Sequence, residues 1–243
     1  MPIAKVAVIT GAAKRVGRAI ALKLATAGFD IAFTYRGSQR EANELEQLIK
    51  KLGRQSLSIQ ADFTDSQRAS DTVATIFGKQ FTRLDALINN ASLYQPSSLQ
   101  TATDEQIHNL FAIHFHTPFL LARRFENLLR SSRGHIVNMV DLLAERPWPE
   151  YLAYSASKAA LGSLTRGLAR ALAPDITVNG IAPGVVEWPD DYPQSEREKY
   201  LKRVPLARAG TPEDVANLVH FLITDGSYIT GQIIPLDGGR SIT

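Results

Sequence analysis

The chain has 243 residues, 44% hydrophobic and 21% charged, which is enough apolar material for a sizeable core. It has no cysteine, which excludes disulfides and thiolate metal sites, and no other metal site is expected. A net charge of +3 with both signs interspersed is too mild for a nucleic-acid partner, and no apolar run reaches the ~18 residues that span a bilayer, so a small anionic ligand is the economical partner.

Met1-Pro-Ile-Ala leads straight into a strand-like run with no signal peptide, so a cytoplasmic protein is expected. Lys5 to Thr10 predicts a buried strand, Gly11 to Gly17 a glycine turn, and Arg18 to Ala25 a helix. In that context a pyrophosphate can rest on a helix N-terminus, although such a loop also occurs as a plain turn. Gly11 permits the tight turn and Gly17 a close approach of helix to strand. Arg15 stands where the middle glycine is usual. The second strand, Phe29 to Tyr35, runs into Arg36-Gly37-Ser38. An NAD site usually places an acid there for the ribose diol, whereas this chain has Arg36, and Asp30 lies at the wrong end of the strand. Arg15 and Arg36 put two cations where a 2′-phosphate would lie, which favours NADP(H) over a merely solvated arginine.

Glu41 to Leu52 predicts an amphipathic helix, Ser56 to Gln60 a strand that leads to Asp62, and Gln67 to Phe77 a helix. Leu84 to Ile88 predicts a strand followed by Asn89-Asn90-Ala91-Ser92, a sequence that turns the chain with or without a ligand. Asp104 to Arg130 contains a long helix in which Pro118 marks a kink or a joint. His135 to Val140 is a buried strand ending at Asp141, and the helix of Tyr154 and Lys158 runs to about Leu172. Ile176 to Ile181 predicts a sixth strand, broken by Ala182-Pro183-Gly184. Residues 185–210 are polar with little periodicity and are expected to form a lid. Pro212 to Leu222 predicts a helix and Gly231 to Leu236 the last strand.

Strands alternating with helices from end to end predict one α/β domain over residues 1–243, a Rossmann-like doubly wound parallel sheet with helices on both faces. Gly11, Arg36, Asp62, Asn90, Asp141 and Pro183 each fall just past a strand, so they gather along the edge where such sheets bind ligands.

Tyr154 and Lys158, four residues apart, share one helix face. A cation held near a phenol of ordinary pKa about 10 favours the phenolate and brings the group toward acid–base work. Tyr-x-x-x-Lys also occurs by accident on solvated faces. Here Ser155, Ala156 and Ser157 leave room for another body to approach, and Asp141 ends a buried strand 13 residues before Tyr154.

These residues resemble the short-chain dehydrogenase/reductases along nearly the whole chain. Thr10-Gly11…Gly17, Asn89-Asn90-Ala91, Tyr154…Lys158, Pro183-Gly184 and Asp237-Gly238-Gly239 fall in the family's order and spacing. Arg15 replaces the Gly, and Asp141 the Ser, that most members have. With Tyr151 and Tyr94 these positions are instead similar to the pteridine reductases, including the bacterial dihydromonapterin reductases. The resemblance implies roles. Gly11, Arg15 and Val16 would hold the pyrophosphate side, and Tyr35, Arg36 and Ser38 the 2′-phosphate end. Asp62 would contact adenine, Asn90 and Ala91 the nicotinamide ribose, and Pro183 and Gly184 the cofactor. Lys158 would bind that ribose and lower the Tyr154 pKa. Tyr94 would stack on a flat pterin against nicotinamide, bordered by Ser92, Tyr151 and Arg15, with Asp141 and Tyr154 at the reacting end. Members usually carry an Asn on the long helix that holds a relay water; His114 stands in its place, as a water holder or as a packed histidine. The family also implies a homotetramer built on the long helix and the Tyr154 helix, for which the apolar surface of Leu110 to Leu121 is suited.

The expected activity is NADPH-dependent reduction of a C=N bond in a dihydropterin or dihydrofolate, with Tyr154 as proton donor. An ionised carboxylate at 141 accepts from Tyr154 or a ring N–H but cannot donate to a substrate oxygen as Ser does. The alternatives are a carbonyl reductase, such as a 3-oxoacyl thioester reductase, and a non-catalytic NADP(H) sensor.

Overall fold

A computed structural model describes residues 4–188 and 192–243. Seven strands form one parallel sheet in the order β3-β2-β1-β4-β5-β6-β7. They are β1 (Val6–Ile9), β2 (Asp30–Tyr35), β3 (Ser56–Gln60), β4 (Ala86–Asn89), β5 (His135–Met139), β6 (Thr177–Pro183) and β7 (Ile233–Leu236). The central strands β1, β2 and β4 are buried at every residue, as a sheet covered on both faces requires.

The helices are α1 (Arg15–Thr26), α2 (Gln39–Lys51), α3 (Ser66–Gly78), α4 (Asp104–Phe111), α5 (Thr117–Ser132), α6 (Leu152–Leu172), α7 (Gln194–Leu201) and α8 (Pro212–Thr224). On one face, Ile20 and Leu24 of α1, Leu45 and Ile49 of α2 and Val219 and Leu222 of α8 pack over Ile9, Ile31 and Phe33. On the other face, Val73 and Phe77 of α3 and Leu121, Phe125 and Leu129 of α5 pack over Val8, Leu87 and Ile136. Side chains start several helices. Asp65 accepts from Arg68 N at 3.1 Å, and Thr103 with Gln106 and Thr211 with Asp214 form capping boxes.

The long helix is divided. A single π-helical turn, Ala112–His116, joins α4 to α5 without a break in helical backbone, and Pro118, which has no N–H to give, follows directly on it. The sequence expectation of a joint at Pro118 is met, as the π turn just before it. Leu110, Ile113 and Leu121 point into the chain's own core, so the surface expected to be apolar over Leu110 to Leu121 is narrower than the sequence implied. Residues 185–210 contain α7, which the polar pattern hid because none of its residues is buried. Residues 189–191 of that expected lid lie outside the described residues.

Chain reversal between β1 and β4 opens a crevice at their carboxyl ends, because β1 continues outward to β2 while the chain returns from β3 to β4 on its other side. Among the described residues no helix is long and apolar enough to cross a membrane.

Candidate active site

A cleft of about 690 Å3 follows the carboxyl ends of β1, β2 and β4. Gly11, Arg15, Val16, Tyr35, Arg36, Ser38, Asp62, Asn90, Ala91, Ser92 and Tyr94 all line it, so the structure brings together eleven residues selected from sequence. Gly11 has φ +66°, and a Cβ there would lie 2.9 Å from Ala91 Cα. A Cβ on Gly17 would lie 2.5 Å from the Gly11 oxygen. The Asn90 amide donates to Thr10 O at 2.9 Å and Gly11 O at 3.0 Å, while Thr10 Oγ1 accepts from the Asn90 and Ala91 N–H groups. Asn90 therefore spends its side-chain donors on holding the glycine turn, a part the sequence did not disclose.

The N-terminus of α1 has no side-chain cap and no acid in its first turn, so its free N–H groups face the cleft. An elongated cleft, a turn closed to any Cβ and an uncapped helix end fit a dinucleotide with its pyrophosphate at α1.

Arg15 takes φ +53°, the left-handed conformation glycine would adopt more cheaply. Its Nε pairs with Glu187 Oε2 at 2.5 Å, and both residues also line a second pocket. Arg15 and Arg36 both line the long cleft, and in the ligand-free protein the Arg15 guanidinium is engaged by Glu187. The second cation beside the start of α2 is Lys14, paired with Glu41 at 2.8 Å. Backbone left-handedness at Arg15 turns consecutive side chains apart, which spacing alone does not reveal.

The second pocket, about 320 Å3, lies over the ends of β5 and β6. Tyr94, Trp148, Tyr151, Tyr154, Trp188, Tyr192 and Tyr200 line it with Asp141, Arg15, Glu187, Pro183 and Gly184. Pro183 and Gly184, assigned to the cofactor from the resemblance, border this pocket and not the long cleft. Tyr94 stacks on Tyr151 with centroids 4.6 Å apart and an interplanar angle of 14°. Trp188 stacks on Tyr192 at 4.9 Å and meets Tyr200 edge-on at 5.4 Å. Sequence reading missed Trp148, Tyr192 and Tyr200, which lie on separate segments and share no motif.

At the pocket floor the Tyr154 hydroxyl donates to Asp141 Oδ2 at 2.7 Å. Asp141 Oδ1 accepts from Leu143 N at 2.8 Å. Lys158 Nζ donates to the Met139 carbonyl at 2.8 Å and lies 5.8 Å from the Tyr154 ring centroid. Burial raises the Asp141 pKa against the pull of the Leu143 N–H, Lys158 and Tyr154. Burial lowers Lys158 to about 8 despite Asp141. The expectation that Lys158 depresses the Tyr154 pKa is corrected for the ligand-free protein. Burial and the Asp141 carboxylate push that phenol well above its ordinary value, and the ammonium is committed to Met139 O. The resulting phenol is an acid that holds its proton until something else at the pocket stabilises the anion.

His114 is buried at 1% exposure, 5.5 Å edge-on from the Tyr154 ring, on the π turn. Among the described residues no group of acids and histidines has the spacing of a metal site.

A family model described as enoyl-(acyl carrier protein) reductase matches residues 11–241. The 3-oxoacyl-(acyl-carrier-protein) reductase of Staphylococcus aureus is 34% identical over 98% of this chain and 99% of its own length. The dihydromonapterin reductase of an Enterobacter species is 33% identical over 96% of this chain and 95% of its own. The crystal structure of acetoin dehydrogenase from Enterobacter cloacae superposes with a TM-score of 0.90 at 31% identity, covering 100% of this chain and 97% of that one.

Proposed function

Because the chain belongs to the short-chain dehydrogenase/reductase family of oxidoreductases, we propose that it reduces a pteridine, a dihydropterin or dihydrofolate, with NADPH. The observation that carries this reading is the Tyr154 hydroxyl donating to a carboxylate, Asp141, at the floor of an aromatic-walled pocket. Flat heterocycles gain from stacking on Tyr94 or Trp188. An ionised carboxylate offers only acceptors, which match ring N–H groups and not a carbonyl oxygen. The 33% identity to a dihydromonapterin reductase supports the same substrate class.

Gly11, Val16 and the α1 N–H groups would hold the pyrophosphate, and Arg15 would exchange Glu187 for it. Arg36 and Lys14, with Tyr35 and Ser38, would hold the 2′-phosphate, Asp62 the adenine end, and Ala91 and Lys158 the nicotinamide ribose. When bound, NADPH would supply the hydride for the C=N carbon. Tyr154 gives its proton to the substrate nitrogen, and Asp141 orients the phenol and accepts from the heterocycle. Residues 185–210 would close over the pocket as a lid, and the working form would be a cytoplasmic homotetramer.

A second reading, a 3-oxoacyl thioester reductase, is favoured by the 34% identity to that enzyme. The two separate in kcat/KM with NADPH on a dihydropterin and on an acetoacetyl thioester. Asp141→Ser is expected to lower dihydropterin turnover about 10²-fold or more and to gain some thioester turnover, while Tyr154→Phe loses both. Wild-type preference for the thioester, with dihydropterin turnover unchanged in Asp141→Ser, would replace the pteridine reading with the carbonyl one.

A further inference from the structure

His114 is tied into a hydrogen-bond chain that begins and ends on Tyr154. Its Nδ1 lies 2.8 Å from Ser157 Oγ, and that hydroxyl donates to the Tyr154 carbonyl at 2.7 Å. Its Nε2 lies 2.9 Å from Ser92 Oγ and accepts from Leu93 N at 3.3 Å. The geometry fixes the tautomer. The Leu93 N–H points at Nε2, which makes that nitrogen the acceptor, so in a neutral imidazole Nδ1 carries the proton and donates to Ser157 Oγ, whose own proton goes to Tyr154 O. Burial, with the Lys158 charge nearby, holds the imidazole neutral. Nε2 is therefore bare, and Ser92 donates its proton to Nε2 at rest.

Ser92 Oγ is 2.9 Å from the His114 ring, which itself meets the Tyr154 ring edge-on at 5.5 Å, and from there the Ser92 hydroxyl favours the Tyr154 phenolate. The Asp141 carboxylate works against that anion. The titratable groups packed about this corner are Asp141, Tyr94, Tyr151, Tyr154 and Lys158, and the Asp141 charge opposes a phenolate.

We propose that Ser92 and His114 act as one proton-turning pair that stabilises the Tyr154 phenolate formed during reduction. When Tyr154 gives its proton to the substrate, the Ser92 hydroxyl rotates its hydrogen from His114 Nε2 to the phenolate oxygen. Nε2 stays satisfied by the Leu93 N–H, so the turn strands no buried acceptor. No proton leaves Ser92. Ser92 donates to the reacting oxygen, and His114 is a positioning residue that acts through it. This rests on Tyr154 being the proton donor of a reductase.

Two substitutions divide the imidazole. His114→Asn places an amide N–H near the Nδ1 position, keeping the Ser157 contact and losing the acceptor for Ser92. His114→Gln can place its oxygen near Nε2, keeping that acceptor. With NADPH and a dihydropterin, Ser92→Ala and His114→Asn are each expected to lower kcat about tenfold or more, and the double variant no further. The reverse reaction, NADP+ with a tetrahydropterin, needs the phenolate. Its rise with pH should move upward by about one unit in both variants, the equivalent of that tenfold loss. His114→Gln should restore most of both quantities, and calorimetric NADPH affinity should be unchanged in the two His114 variants. If His114→Asn folds and leaves kcat and the pH profile at wild-type values, the pairing is overturned. If His114→Asn does not fold, Ser92→Ala with a wild-type profile overturns it equally. Retained turnover in Tyr154→Phe would instead overturn the reductase reading itself.

Discussion

Arg36 makes no ion pair among the described residues and stands exposed at the cleft, while Lys14 beside it is held by Glu41. A charge-assisted bond from the unengaged guanidinium to a 2′-phosphate is worth roughly 1.5–3 kcal/mol, or about tenfold or more in affinity. Arg36→Ala should raise the calorimetric Kd of NADPH by that factor and leave NADH nearly unchanged; equal loss for both would place Arg36 elsewhere. Lys158 yields a prediction of two signs. With its pKa lowered to about 8 by burial, the ammonium is lost above that pH, so kcat/KM should fall there, and Lys158→Arg, if active, should move the fall upward. Stability should run the other way. The unfolded chain holds the lysine proton up to the ordinary value of about 10.4, so it binds more proton than the native state between about 8 and that value, and this contribution to stability rises with pH across the window. Urea midpoints of wild type and Lys158→Met at pH 7.5 and 9.5, about the two ends of the window, check it; a difference between the two proteins that does not change with pH would deny the shift.

At the scale of elements, the glycine turn between β1 and α1 has no slack. A Cβ at Gly17 meets the Gly11 oxygen at 2.5 Å and Asn90 Nδ2 at 2.6 Å, both parts of the turn itself. Gly17→Ala should therefore cost roughly 1–3 kcal/mol, read as a lower Tm, and weaken NADPH binding with it. An unchanged Tm would mean that α1 shifts freely. The turn was legible because strand, glycine and helix are local patterns, and β3 was bounded to the residue for the same reason. Asp141 and Tyr154 were legible as ends of local elements whose directions converge, and the 2.7 Å bond between them follows from that convergence. Lys14 and the π turn were not. The sense in which Arg15 turns, and the extra residue that aims His114 inward, depend on backbone dihedrals that residue spacing does not encode. The rest of the aromatic wall was missed because Trp148, Tyr192 and Tyr200 are brought together only beyond the ends of β5 and β6.

For the whole molecule, the outer side of the divided helix keeps an apolar strip even though Leu110 and Leu121 turn inward. Phe119 is 41% exposed and stacks on Phe115 at 6.4 Å. A strip of that kind on a helix pair fits burial against a second copy, in keeping with the proposed tetramer. Light scattering at micromolar concentration should give a mass near four chains, and Phe119→Glu should lower it; a monomeric wild type would refute the assembly.

The aromatic wall also settles what the protein's own light reports. The chain has two tryptophans, Trp148 and Trp188, and both line the pocket beside Tyr154. All indole emission therefore originates at the wall of that pocket. Occupation of the pocket should register as quenching of that emission, and a reduced nicotinamide seated nearby would accept its energy. Substrate and cofactor entry can then be followed separately by stopped-flow on the unlabelled protein, with Trp148→Phe and Trp188→Phe assigning each signal to one wall.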